Sequence, residues 1–223
     1  MSSSTTGSPA SLAVSLAPHN QSVDSWVVHK FGGSSVADAD CFARVADILE
    51  AQPHRHLGVV LSACRGVTDA LLRLVVLAEQ QDERYQIELQ ALRDRHATIA
   101  RALLTPEAAA LYLASMDRDC HDIEGILHTV QLTRPAAENV RDLIAGYGEI
   151  WSTRLFHKYF ESRTKRAGKT VWLDARRIVV VEWSSLGPAV QWAESQQNIE
   201  RVVGADFEGT LIITGFKIGR AHV

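Results

Sequence analysis

Hydrophobic residues recur along this chain with two different spacings, and these spacings divide it into short and long segments. Short runs rich in β-branched and aromatic residues predict strands at 26–31, 57–61, 171–174, 178–181 and 211–215. The longer segments between them repeat apolar residues every three or four positions, which predicts helices. Strands that alternate with helices favour an α/β fold whose parallel sheet is covered on both faces.

Residues typical of helix starts refine this pattern. Ser35 with Asp38 three positions later matches a capping box, and Thr68 is expected to cap a helix from Asp69 to about Gln81. Further helices are predicted over 83–104, from Thr105–Pro106 onward, from Pro135 to about Arg166, and from about Pro188 to Glu200. The region between Asp69 and Arg166 is therefore a largely helical insertion.

The end of the first predicted strand carries the clearest chemical signal. Lys30-Phe31 runs into Gly32-Gly33-Ser34-Ser35, so a strand stops at two glycines and a helix follows. Unpaired N–H groups at a helix start bind phosphate, and Lys30 adds a full positive charge. A plain turn that uses glycine for its positive φ angles is the alternative. We favour the phosphate site because a lysine in a buried strand needs a reason.

Bulk properties exclude several classes of protein. The 223 residues suffice for one core or two small domains, and a net charge of −3 gives no support for nucleic-acid or membrane partners. No apolar stretch approaches the roughly 20 residues of a membrane span. Three scattered cysteines predict reduced thiols in a cytoplasmic protein, and no histidine pair has the support that a metal site needs.

Four segments in this order resemble the aspartokinases, ATP-dependent kinases of L-aspartate with the amino-acid-kinase fold. They are Lys30–Ala37, Leu61–Ala63 with Thr68, Gly148-Glu149 with Ser152, and Leu173–Ala175. The resemblance runs from about Val27 to Phe216 and is strongest to the kinase part of bifunctional aspartokinase–homoserine dehydrogenases. It implies an α/β parallel-sheet sandwich of the amino-acid-kinase type, incomplete here, with ATP and Mg²⁺ as cofactors, L-aspartate as substrate and a homo-oligomer at full length.

The resemblance also implies roles for individual residues. Lys30 would stabilise the transferred phosphoryl group as the catalytic residue, and the ATP phosphates would lie against Lys30, Gly32, Gly33 and Ser34. The residues implied to bind aspartate are Ser62, Thr68, Glu149 and Phe216, with Glu149 facing the substrate ammonium. Asp174 is a possible further member, although a turn residue explains it equally well. A solvated carboxylate is the simpler interpretation of Glu149, but Gly146 and Gly148 beside it each cost a helix roughly 1 kcal/mol and so point to a close approach.

The two ends of the chain lie outside the predicted catalytic domain. Residues 1–25 are rich in Ser, Thr, Ala and Pro without Lys or Arg, which predicts a disordered leader, and 26–216 would be the N-terminal part of the catalytic domain. The family pattern stops at Lys217, so we expect 217–223 to be a non-native tail on a truncated chain with little kinase activity of its own. Another amino-acid kinase, acting on acetylglutamate or glutamate, and a non-catalytic nucleotide-binding or effector-binding module remain the alternatives.

Overall fold

A computed structural model describes residues 25–184, 187–204 and 206–215. Phe216, the tail 217–223 and all of the predicted leader except Ser25 lie outside these residues. The described elements, in chain order, are β1 (Trp26–Phe31), a 3-10 helix (Gly33–Val36), α1 (Ala39–Glu50), β2 (His56–Leu61), α2 (Val67–Glu79), α3 (Arg84–Leu103), α4 (Pro106–Thr133), α5 (Glu138–Arg163), β3 (Lys169–Leu173), α6 (Ala175–Ile178), β4 (Val181–Ser184), β5 (Gly187–Val190), α7 (Trp192–Val203) and β6 (Gly209–Thr214).

Four of the strands form one parallel sheet in the order β1-β2-β6-β3. The strands β4 and β5 form a separate antiparallel hairpin. The last described strand, β6, lies between β2 and β3, so β2 and β3 belong to one sheet although the helical region separates them along the chain. The predicted α/β class, its parallel sheet and its largely helical insertion are confirmed.

The sheet separates two apolar clusters. Along β6, Ile212 packs into the larger cluster with β2 and the helices α1 to α5, while Leu211 packs into a smaller one with α6 and α7. Successive side chains of a strand point to opposite faces of the sheet, so the residues paired with Ile212 share the face of the larger cluster and those paired with Leu211 share the face of the smaller one. The helix α5 lies on the face of the larger cluster and contacts β2, β6 and β3.

The residues at the helix starts agree only in part with the predicted caps. Asp38, and not Ser35, caps α1 by accepting a hydrogen bond from the Cys41 amide at 2.9 Å, so the predicted capping box was wrong. Gly66, with φ of 76°, precedes α2, and the predicted cap Thr68 lies inside its first turn. Thr105 caps α4 as predicted.

Three predicted boundaries later in the chain were also wrong. The run 178–181 is not one strand, because Ile178 ends the short helix α6 and buries its side chain in the smaller cluster. The segment from Pro188 begins as β5 rather than as a helix, since it pairs with β4. The helix predicted from Pro135 begins at Glu138 instead.

The turn from Ser62 to Gly66, which follows β2, is packed from two sides by glycines. A Cβ placed on Gly33 would lie 2.8 Å from the Ala63 carbonyl oxygen, and one on Gly148 would lie 2.9 Å from the Ala63 Cβ. Real Cβ atoms do not approach so closely, so both positions require the absence of a side chain. The neighbouring Gly32 has extended backbone angles and open space at its Cβ.

His96 is a buried polar residue at the centre of the helical region. Its ring packs edge-on against Trp151, and Nδ1 lies 2.8 Å from the Leu92 carbonyl oxygen. Burial, the largest influence, lowers the pKa of His96 from 6.5 to about 4. The folded protein therefore holds this imidazole neutral at pH values where an unfolded chain protonates it.

We predict that replacing His96 weakens the pH dependence of stability. Between pH 7 and pH 5 the unfolded state gains a proton at His96 that the folded state does not bind, so the free energy of unfolding falls by about 2 kcal/mol from this group. Urea unfolding followed by tryptophan fluorescence should show this loss in the wild type and its absence in His96→Leu, whatever that variant's stability at pH 7. A His128→Gln variant, altered at an exposed site on α4, serves as the control. Equal pH slopes in the wild type and His96→Leu would contradict the prediction.

We predict opposite outcomes for two adjacent glycines. Gly33→Ala forces its methyl group against the Ala63 carbonyl and should lower the free energy of unfolding by about 1–3 kcal/mol. Gly32→Ala meets open space in a permitted conformation and should change it by less than about 0.5 kcal/mol. Chemical denaturation of both variants provides the measurement, and equal losses would show that the two turns are not packed in this way.

Candidate functional site

The carboxyl ends of the four parallel strands meet at one edge of the sheet. Phe31, Leu61 and Thr214 are paired in register as the last residues of their strands. The Ser62 amide donates to the Phe31 carbonyl at 3.1 Å, and the Gly215 amide donates to the Leu61 carbonyl at 2.9 Å. In open parallel sheets ligands bind at this edge, outside the strand ends.

The segment Gly32–Ser35 turns above this edge. Gly33–Val36 forms a single 3-10 turn closed by a 2.9 Å hydrogen bond from the Ser35 amide to the Gly32 carbonyl. The first N–H groups of such a turn have no partner within it. Ser34 is exposed. These amides and the hydroxyl of Ser34 can donate hydrogen bonds to an anion without breaking any hydrogen bond of the turn.

Lys30 lies one residue before the end of β1, and its environment differs from the predicted one. It is exposed and not buried, because register pairs it with Val60 and Ile213 on the face away from α5. Within the described part of the chain, its ammonium makes no hydrogen bond or ion pair. No carboxylate of the described residues therefore neutralises the positive charge at this edge.

Glu149 reaches the same region from the other face of the sheet. It lies half-buried on α5, next to Gly148, whose missing side chain lets α5 touch the turn that follows β2. The Ser152 hydroxyl, one helical turn further, donates to the Ser62 carbonyl at 2.7 Å. The structure thus brings Glu149, Ser62 and Gly33 into one neighbourhood.

Thr68 and Ser62 flank this turn. Both are half-buried, and Thr68 is the second residue of α2. Gly66 occupies the capping position, so the hydroxyl of Thr68 is not required to cap its own helix. Because Lys30 and Glu149 belong to opposite faces of the sheet, the meeting of their side chains above the edge stays a prediction.

Asp174 has a structural partner. Its buried carboxylate accepts a hydrogen bond from the Arg176 amide at 3.1 Å and forms an ion pair with the Arg176 guanidinium at 2.7 Å. Burial opposes ionisation, but the hydrogen bonds and charge of Arg176 prevail and hold the pKa of Asp174 below its usual value. The arrangement accounts for Asp174 as the cap of α6, and a role towards substrate stays a prediction.

A further contact at these turns is made by an arginine that no sequence motif singled out. Arg95, on α3, donates hydrogen bonds to the carbonyl oxygens of Arg65 and Ala37. These partners are 30 and 58 residues away along the chain, so no local motif could have revealed them. Arg95 therefore joins the turn after β2 to the turn after β1.

Metal and membrane features can be assessed for the described residues. They contain no group of three or more His, Cys, Asp or Glu side chains arranged to hold a metal ion. None of their helices is both long enough and apolar enough to cross a lipid bilayer.

The chain is similar in sequence to aspartokinases from plants and bacteria. It is 31% identical over 194 residues to bifunctional aspartokinase/homoserine dehydrogenase 1 of Zea mays, covering 86% of this chain and 21% of that protein. It is 33% identical over 160 residues to lysine-sensitive aspartokinase 3 of Escherichia coli, covering 69% of this chain and 32% of that protein. The chain thus spans about a fifth of the length of the bifunctional relatives it matches.

Solved structures support the same relationship. The crystal structure of E. coli aspartokinase III in complex with aspartate and ADP matches with a TM-score of 0.69 and 25% identity, over 88% of this chain and 44% of that one. The complex of the same enzyme with lysine and aspartate matches with a TM-score of 0.66. The family model described as the amino acid kinase family matches residues 25–222, and with the fold and the strand-end turns this shows that the chain belongs to the amino acid kinase family.

Proposed function

We propose that this chain is part of an aspartate kinase, which transfers the γ-phosphoryl group of ATP to the side-chain carboxylate of L-aspartate. The products are 4-phospho-L-aspartate and ADP. The observation that carries the proposal is the close packing of three segments, Gly32–Ser35, Ser62–Gly66 and Gly148-Glu149, at the carboxyl edge of an amino-acid-kinase sheet. The matching structure of aspartokinase III, described as a complex with aspartate and ADP, supports the choice of ligands.

The acceptor needs little chemical activation in this reaction. A carboxylate is already ionised near pH 7, so its oxygen can attack the γ-phosphorus while the bond to the β–γ bridging oxygen breaks and ADP leaves. The main obstacle is the repulsion between the anionic acceptor and the anionic phosphates. In the proposal, the amides of Gly32 and Gly33, the hydroxyl of Ser34 and the ammonium of Lys30 reduce this repulsion.

The remaining predicted residues orient the acceptor. Glu149 would pair with the ammonium group of aspartate, while Ser62 and Thr68 would contact a carboxylate. All three lie on or beside the turn that α5 touches. Phe216, which the resemblance also implies, lies outside the described residues.

Mg²⁺ enters this proposal with the nucleotide. The described residues offer no cluster of carboxylates for a resident ion, and Asp174 is already paired with Arg176. Mg²⁺ is commonly held by substrate phosphates with one or two carboxylates at most, so a Mg²⁺–ATP complex fits these residues better than a separate metal site. Its chemistry there is to neutralise phosphate charge.

Further parts of the proposal rest on the relatives alone. Bifunctional relatives carry homoserine dehydrogenase in their names, which supports a fusion of this kind. A place in the synthesis of lysine, threonine and methionine stays a prediction. A homo-oligomeric state and a cytoplasmic location stay predictions.

An acceptor screen tests the proposal. The gene product that carries this chain is incubated with Mg²⁺–ATP, hydroxylamine and either L-aspartate, L-glutamate or N-acetylglutamate, and both hydroxamate and ADP are measured. We expect hydroxamate from aspartate alone. Products from acetylglutamate or glutamate would favour another amino-acid kinase, and nucleotide binding without turnover would favour a binding module.

A pair of lysine variants makes the screen specific to the proposed site. Lys30→Met removes the charge beside the phosphate turn and should lower the rate with aspartate by about 100-fold or more. Lys169→Met removes an exposed lysine from the opposite end of the same sheet and should leave the rate near that of the wild type. Equal rates in the two variants would remove Lys30 from the mechanism.

We predict that Glu149→Gln raises the KM for aspartate and leaves the KM for ATP nearly unchanged. Loss of the carboxylate weakens the interaction with the aspartate ammonium, and the KM for aspartate should rise by roughly 10- to 100-fold while the KM for ATP stays near its wild-type value. Glu161→Gln alters an exposed carboxylate on the same helix and serves as the matched control. A comparable rise in both KM values would indicate a structural role for Glu149.

A further inference from the structure

Arg95 connects two turns that the chain itself does not connect. From α3, Nη1 donates to the Arg65 carbonyl oxygen at 2.9 Å and Nη2 donates to the Ala37 carbonyl oxygen at 3.2 Å. Arg65 lies in the turn after β2, and Ala37 lies between the 3-10 turn after β1 and the cap of α1. One half-buried side chain therefore spans both turns of the candidate site.

The form of the guanidinium suits this task. Its nitrogens are fixed in one plane and donate in fixed directions, so two acceptors bonded to it are held at a set separation. Each acceptor lies outside a regular helix, where carbonyl groups lack a regular backbone partner. Loss of the guanidinium would leave both carbonyls to water, and the Gly33 contact and the hydrogen bond from the Ser62 amide to the Phe31 carbonyl would have to hold the turns together.

The charge of Arg95 sets it apart from its neighbour on the helix. Arg93 is paired with the carboxylate of Asp117 at 2.8 Å, which neutralises it. Within the described part of the chain, Arg95 has only the two carbonyl groups as hydrogen-bond partners and no carboxylate. Its positive charge therefore adds to the potential around the strand-end turns, as an anion site requires.

We infer that Arg95 is a positioning residue that holds the turns after β1 and β2 at the separation needed to bind nucleotide phosphates. The inference rests on the proposed function for the identity of the ligand. The link between the turns is independent of the proposed function, because it follows from the two hydrogen bonds and from the contact of Gly33 with the Ala63 carbonyl. Arg95 acts through the backbone of residues 32–37 and 62–66 and touches no reacting atom.

Three variants of the gene product that carries this chain test this role. Arg95→Ala removes both bonds, Arg95→Lys keeps the charge but offers a single nitrogen, and Arg93→Ala removes a paired arginine from the same helix as a control. Amide hydrogen exchange in residues 33–38 and 65–68 reports the order of the turns, calorimetric titration with Mg²⁺–ADP reports ligand binding, and urea unfolding reports overall stability. A merely structural arginine would change only the last of these.

We expect Arg95→Ala to speed exchange in both turns and to weaken ADP binding about tenfold or more, since each of its bonds involves a charged donor. Arg95→Lys should fall between Arg95→Ala and the wild type, and Arg93→Ala should match the wild type in both measurements despite any loss of stability. Unchanged exchange in Arg95→Ala, or equal effects from Arg93→Ala, would overturn the inference. If the wild type binds no ADP although Arg95→Ala loosens both turns, the link stands and the proposed function fails.

Discussion

The close approach of two chain segments to the turn after β2 is the constraint on which this candidate site depends. Gly33 approaches from the turn after β1, and Gly148 approaches from α5, each at a distance that leaves no room for a Cβ. The hydroxyl of Ser152 fixes the Ser62 carbonyl from the same helix. Because these contacts involve backbone and small residues, the turn cannot shift without moving both the segment Gly32–Ser35 and the helix that carries Glu149.

The distribution of charge around this edge follows from which carboxylates already have partners. Asp174 is held ionised by Arg176, so it does not cancel positive charge elsewhere. Asp38 accepts from the Cys41 amide at the start of α1, and this hydrogen bond is the main cause of its lowered pKa. Lys30 and Arg95 have no carboxylate partner among the described residues. Among the described residues, the edge therefore combines cations that lack a carboxylate partner with turn amides that have no partner within the turn, which favours an anionic ligand.

The two faces of the sheet give different parts of the site. The face under α5 supplies Glu149 and the support of the turn after β2, while Lys30 belongs to the face that α7 partly covers. A ligand bound across the strand ends can contact groups from both faces, which neither face offers alone. The packing of α5 thus brings part of the helical region between β2 and β3 beside turns that lie far earlier in the chain.

The sequence by itself determined most of the element types and the position of the turn after β1, because strand and helix periodicities and the Gly-Gly-Ser-Ser turn are local properties. It missed the start of α5 and misassigned 178–181, where burial of Ile178 against another element overrode a β-branched run. Only the tertiary structure decided that Lys30 is exposed, that Asp174 is paired and that Arg95 joins two turns. Which face a strand residue occupies, and which distant carbonyl an arginine reaches, depend on strand register and helix packing, and these are fixed by contacts between residues far apart in the chain.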